Sequence, residues 1–384
     1  MSPKARGIVA ACALGMGVSW NLASVGAAAE PVADHYGIAL ATVGLFTTSL
    51  FLAELLSMAA VGALVRRYGA RLVGLGALAL CAAGNLVTLA VDGIALALAL
   101  RFVLGFGVGL GFVGGTVYVQ HAGGGPFAQG LYGGLSLGAA GLAVAVVPAL
   151  AGAIGWEAPF ASGLAIAAIA SALVAAGPDS RPEAAGDPWG FLRLLGNGRV
   201  LRFAVLYAAA FGLAIVLSNW VVTLLVRRSG FSEESAGLVG ALILVAAIAG
   251  RPGGGAYAHM RPERTRALLV LAIALGAIGT LALGLGLPVV PAAIAALMVG
   301  FAGGLPFGPL ADALSRAFPA SAGAAFAAMN TYALLIVIVG TPLVGLTFAL
   351  PGDGLIGFAA AAGYWLLALL ALPGRALLEG RPGA

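Results

Sequence analysis

The chain has 384 residues, of which 61% are hydrophobic, 60 are glycine and 9% are charged, where soluble domains carry about 25% charged residues. Its 19 basic and 14 acidic side chains are too few to cover a water-exposed globule of this mass, so lipid is the solvent for most of the chain. The +5 balance comes from basic residues scattered between apolar segments, without the patch or stripe that a nucleic-acid partner requires.

Apolar segments fall at 7–29, 40–65, 71–91, 94–119, 131–154, 158–176, 200–225, 235–259, 266–286, 288–311, 323–349 and 354–373. A helix crossing the bilayer needs about 20 mainly apolar residues, so these predict an all-α membrane protein with twelve transmembrane helices. The N-terminus, with Lys4 and Arg6 before an apolar run, starts like a secretory signal. The run continues through Trp20 and Asn21 to Ala29, too long for a signal h-region, and is expected to remain as the first helix. Glycine sits inside these runs, where small residues let membrane helices approach closely. Cys12 and Cys81 also lie in apolar stretches and read as packing residues with no disulfide framework.

Cytoplasmic loops collect Lys and Arg. With the N-terminus inside, that side holds Lys4, Arg6, Arg66, Arg67, Arg71, Arg181, Arg193, Arg199, Arg202, Arg261, Arg264, Arg266, Arg316, Arg375 and Arg381, against only Arg227 and Arg228 outside. The asymmetry supports an even number of spans, with both termini in the cytoplasm of an inner-membrane protein. The longest polar connection, 177–199, lies at mid-chain. It divides the sequence into an N-terminal six-helix unit (1–176), a cytoplasmic linker and a C-terminal six-helix unit (200–384).

The halves repeat one another. Gly62-Ala63-Leu64-Val65-Arg66-Arg67-Tyr68-Gly69-Ala70-Arg71 after the second span aligns with the segment from Gly255 to Arg264 after the eighth, at an offset of 193. The Gly-rich fourth span (Gly105, Gly107, Gly109, Gly111) aligns with the tenth (Gly300, Gly303, Gly304, Gly308) at the same offset. Pro148-Ala149-Leu150-Ala151-Gly152 in the fifth aligns with Pro342-Leu343-Val344-Gly345 in the eleventh at 194. A looser match pairs Ser19-Trp20-Asn21 with Ser218-Asn219-Trp220. The shared offset points to a duplicated six-helix unit.

With these motifs the chain resembles the major facilitator superfamily. The family's loop signature between spans two and three is matched by Gly62, Arg67, Gly69 and Arg71, with Arg66 where the family usually has Asp. Arg101 followed by Gly105, Gly107 and Gly109 is similar to its fourth-span motif. Pro148 and Gly155-Trp156-Glu157-Ala158-Pro159-Phe160 resemble the end of its fifth span, with Glu157 in an Arg position. The resemblance implies a secondary transporter: two bundles rocking about a central cavity lined by spans 1, 4, 7 and 10. It also implies an Asp in the loop that locks the cytoplasmic ends. Arg66 cannot accept those hydrogen bonds and His259 stands at the same place in the second half, so any such latch is built otherwise or is weaker.

With loop charges set aside, Glu54, Arg101 and Arg251 remain deep in spans. Such residues cost about 2.5–3.5 kcal/mol on insertion scales and usually face a cavity or a partner. Gly250-Arg251-Pro252-Gly253-Gly254 is similar to the Arg-Pro-x-Gly-Gly of the nitrate/nitrite porter branch, whose Arg binds the anion. The mirrored Arg of that branch is absent, since Met58 occupies its place. That disfavours nitrate and leaves a single-Arg site for a carboxylate or cyanate-like anion. Arg251 reads either as an anion contact or as a helix-packing Arg. Arg101 reads as an ordering residue or a substrate contact, and Glu54 as a proton carrier or a permanent partner of Arg101.

Trp20 and Asn21 in span 1 and Asn219 and Trp220 in span 7 are candidates to line the cavity, with interhelical bonding as the alternative. Asn330-Thr331-Tyr332 and Tyr132 are further candidates, and Asp312 with Arg316 is expected to form an ion pair. Gly-rich runs lack the Lys-Ser/Thr and preceding strand of a nucleotide loop, and His35, His121 and His259 lack metal-ligand spacing. No enzyme, cofactor or metal site is expected. The expected function is proton-coupled transport of a small solute, a small anion first, by a monomer in the lipid bilayer. A proton-coupled exporter of hydrophobic compounds and a non-transporting membrane sensor are the rival readings.

Overall fold

The structure is a computed structural model in which residues 2–124, 126–179 and 190–379 are described. The middle of the predicted linker, 180–189, therefore lies outside the described residues; beyond it Gly190–Leu195 is a short helix. Among the described residues every regular element is helical, and nine helical stretches are long and apolar enough to cross a membrane. The protein is a multi-pass α-helical membrane protein.

The principal helices are α1 (Pro3–Ser19), α2 (Leu40–Tyr68), α3 (Ala70–Thr88), α4 (Ile94–His121), α5 (Pro126–Ile154) and α6 (Ala158–Ala175). In the second half they are α7 (Gly198–Ser229), α8 (Glu233–Met260), α9 (Thr265–Leu283), α10 (Val289–Ala317), α11 (Ala322–Leu346) and α12 (Leu355–Ala368). The predicted first span, 7–29, is not one helix. After Ser19 the chain makes a single tight turn at Trp20–Leu22, then two short helices, Ser24–Ala27 and Ala29–Tyr36. The break coincides with a tertiary contact, in which the guanidinium of Arg101 on α4 donates to the Asn21 carbonyl.

Glycines set the packing. In α4, Gly105 and Gly109 lie against the Leu50 and Glu54 backbone of α2, Gly107 against the Ala77 carbonyl of α3, and Gly111 against Val18 of α1. The second half repeats the pattern: Gly300 of α10 lies against Leu242 of α8, Gly303 against Ala210 of α7, and Gly279 of α9 against Ala295 of α10. The halves meet where α5 packs on α8 and α2 on α11. There Gly141 faces Val245, Gly44 faces Pro342, and Pro148 abuts Gly237. Helix α7 is buried at every residue from Leu213 to Leu225, as expected for a helix apolar on all faces.

The closest backbone approach is between α8 and α10, where Gly250 and Gly254 face Gly304 and Leu305. A methyl group on Gly254 would overlap the Leu305 carbonyl oxygen. Overpacking of this kind costs about 1–3 kcal/mol, so Gly254→Val is expected to lower the melting temperature of detergent-purified protein. Gly253→Ala, where a Cβ meets open space, is the control expected to leave it unchanged.

Candidate functional site

Arg251 stands on the second part of α8. Proline at 252 removes a backbone donor and crowds the carbonyl four residues earlier. The helix breaks at Ala246, between Glu233–Val245 and Ala247–Met260. This bend and the glycine contact with α10 carry Arg251 inward, where it is 3% exposed. Its guanidinium carbon lies 4.4 Å from the Phe307 ring centre and 5.6 Å from that of Phe211. The Tyr207 hydroxyl lies beside it. Opposite, on α5 of the first half, a Cβ at Gly133 would stand 3.1 Å from Nη1, so the guanidinium reaches the boundary between the halves. Among the described residues its Nε has no hydrogen-bond partner.

The rings around it form a connected group. Tyr207 stacks on Phe211 with centres 5.5 Å apart and lies 6.2 Å from Phe307 and 6.1 Å from Phe326; Phe307 and Phe326 meet edge to face at 6.0 Å. Residues Ala208–Gly212 form one π-helical turn within α7, a distortion frequent at functional sites, and it holds Phe211. Asn330 lies one turn beyond Phe326 on α11, so the two share a face. Its side chain is buried and makes none of the hydrogen bonds of the described residues.

Glu54 on α2 is 4% exposed, and its Oε2 has no partner. Among the described residues no ion pair joins it to Arg101, so the permanent pair considered from the sequence is not formed in this conformation. Glu54 lies instead within electrostatic range of Tyr132 and Tyr207. Tyr207 is thus in electrostatic range of both Glu54 of the first half and Arg251 of the second.

Arg101, 3% exposed, is built into the first half. It donates to the Asn21 carbonyl, Asn85 Nδ2 donates to Asn21 Oδ1 at 2.9 Å, and Asn21 Nδ2 donates to the Val18 carbonyl at 3.3 Å. The Trp20 indole donates to Ser162 Oγ at 3.0 Å. The bonds of Trp20 and Asn21 tie the end of α1 to α3, α4 and α6, while among the described residues Nε of Arg101 is unpartnered.

Asn219 and Trp220 bond across helices too. Asn219 accepts from Thr47 Oγ1 of α2 at 2.9 Å and donates to the Leu22 carbonyl at 3.4 Å, whereas Trp220 donates to the Thr341 carbonyl at 2.7 Å. The first two bonds join the halves. At the same end, Arg227 Nε meets Glu30 Oε1 at 2.7 Å.

At the opposite end lies the loop motif. Gly62 and Arg67 lie in the last turns of α2, and Gly69 turns the chain with φ 83°, a conformation that side chains disfavour. The Asp179 carboxylate closes on this turn: Oδ1 accepts from the Arg71 backbone N–H at 3.3 Å, while Arg71 Nη1 donates to the Gly177 carbonyl at 3.5 Å. The acid missing at Arg66 is thus supplied from the end of α6, but it fastens α3 to α6 inside the first half. Asp312 and Arg316 pair as expected, one turn apart on α10.

Sequence reasoning missed Tyr207, Phe211, Phe307, Phe326, Asn85 and Asp179. The signals were faint: Tyr207 with Phe211 and Phe326 with Asn330 are each at i, i+4, but such pairs abound in apolar helices.

Comparisons agree with this architecture. The sequence profile of the Major Facilitator Superfamily matches residues 9–341. Among solved structures, the nucleoside transporter NupG is similar with a TM-score of 0.71 at 14% identity, covering 97% of this chain and 98% of that one. A D-xylose-proton symporter gives 0.72 at 17%, covering 97% and 99%. The human organic anion transporter MFSD10 (TETRAN) gives 0.69 at 19%, covering 97% and 100%. No curated protein sequence matches. The chain belongs to the Major Facilitator Superfamily.

Proposed function

We propose that the protein is a proton-coupled secondary transporter that moves a small organic or inorganic anion by alternating access, with Arg251 as the anion contact and Glu54 as the proton carrier. The observation that carries this reading is the pair of intramembrane charges at the boundary between halves: Arg251 with a free Nε, and Glu54 with a free Oε2. Buried charge left unpaired is costly, and a substrate anion and a proton are the missing partners.

The architecture proposed is twelve spans in two six-helix bundles, 1–176 and 200–384, with both termini in the cytoplasm of the inner membrane. Several features support the count. The 48-residue apolar stretch Ala128–Ala175 turns back at Gly155–Glu157, and Pro3–Ser19 and Leu355–Ala371 add a span at either end of the chain. The matching glycine contacts of α4 and α10 support the two bundles.

In this conformer the Glu30–Arg227 pair and the Asn219 bonds close the end assigned to the outside. Both ion-pair partners are about one-third exposed, at 34% and 35%, so the pair is worth at most about 1 kcal/mol. That is a shift of roughly fivefold between conformers. Arg227→Ala is expected to raise labelling of a reporter cysteine placed on the outer side of α7 by up to that factor. Cys12 and Cys81 are buried and leave a low background.

The test of the proposal is uptake into proteoliposomes under an imposed pH gradient. Arg251-dependent anion accumulation supports it; export of hydrophobic compounds that survives Arg251→Ala and fails in Glu54→Gln would replace it with the exporter reading.

A further inference from the structure

We infer that the Arg251 site takes an organic monocarboxylate with an aromatic or otherwise planar apolar body. This deepens the reading of Arg251 as the anion contact and rests on it.

The charge argument comes first. Among the described residues one guanidinium, that of Arg251, lies against Phe211 and Phe307, whereas Arg101 donates to the Asn21 carbonyl in the other half. Glu54 lies on the first-half side of Tyr207 and is in electrostatic range of it. A second negative charge on the solute would have no cation to meet and would face that carboxylate. A monoanion balances Arg251 alone.

Shape gives the rest. The guanidinium carbon lies 4.4 Å from the Phe307 ring centre and 5.6 Å from that of Phe211, Tyr207 lies beside it, and among the described residues its Nε–H is left to meet a ligand. Planar donors in that arrangement match the two oxygens of a carboxylate. The carboxylate's substituent then falls among Tyr207, Phe307 and Phe326. Tyr207 and Phe211 are buried, but Phe307 and Phe326 keep part of their surface accessible although they pack on the ring cluster of the interior. Rings that served only to shield Arg251 would be expected to be fully enclosed. Their accessible surface offers an apolar wall suited to stacking, and Asn330, one turn from Phe326, adds a polar group without a partner. An inorganic anion or acetate would leave that wall in water.

The probes are benzoate, acetate, phthalate as the dianion, and neutral benzamide, with affinity for the purified full-length protein measured by calorimetry. Benzoate is expected to bind about tenfold or more tighter than acetate, and phthalate and benzamide at least tenfold weaker than benzoate. Phe307→Leu and Phe326→Leu, which keep apolar bulk, are expected to lower benzoate affinity more than acetate affinity. Equal affinity for acetate and benzoate, or benzamide matching benzoate, would overturn the aromatic monoacid while leaving the anion reading intact. If Arg251→Ala, eluting as folded protein, binds benzoate as the wild type does, or if none of the probes binds the wild type, both fall.

Discussion

Arg251→Ala is expected to reduce anion transport in proteoliposomes by about 10²–10⁴-fold, since it removes two charge-assisted hydrogen bonds worth about 1.5–3 kcal/mol each. Arg251→Lys is expected to recover only a small part of this loss. Lysine keeps the charge, but an ammonium has no planar fork to match a carboxylate and stacks less well on the Phe307 ring. The variant also separates transport from folding. Its long stem preserves packing against Gly133 and Tyr207, so a normal elution profile with defective uptake assigns the loss to recognition. Wild-type uptake in Arg251→Lys would make the residue a packing cation.

Glu54→Gln is expected to abolish accumulation driven by a pH gradient while retaining exchange of labelled for unlabelled solute across the membrane. Glutamine keeps the size and polarity of the carboxyl but carries no exchangeable proton. A one-unit pH difference concentrates a one-to-one coupled solute about tenfold, and the variant should bring internal and external solute to equality. The position of Tyr207 sharpens this expectation. It is in electrostatic range of both Glu54 and Arg251, so a change at either charge alters the field at the same α7 side chain. A variant that still accumulates solute under the gradient would show that Glu54 only packs against α4.

Much of the fold was legible before any coordinates. Spans with the Arg101 and Gly-rich pattern of α4, the Gly69 turn and the mid-chain polar connection followed from apolar run length and glycine placement, because lipid forces backbone groups to pair within each helix. The break at Trp20 was not legible. It coincides with a bond to the Asn21 carbonyl from Arg101, a residue 80 positions away. The role of Asp179 was hidden likewise, since nothing local ties the end of α6 to the turn before α3.

The candidate site divides the same way. Glu54, Arg101 and Arg251 stood out by sequence alone, because an ionisable residue in an apolar run has a cost visible without knowing its neighbours. Their fates did not. Arg101 turned inward to the first half, where it donates to the Asn21 carbonyl, and Arg251 came to lie among rings from α7, α10 and α11 of its own half, facing Gly133 of α5. The sequence by itself determined the membrane class, the placement of charge and the family, since these depend on composition, run length and local motif. Only the tertiary structure decided which charges keep free atoms at the boundary between halves. That depends on contacts among helices far apart in the chain, set by glycine approaches such as Gly250 on Gly304 that no local pattern encodes.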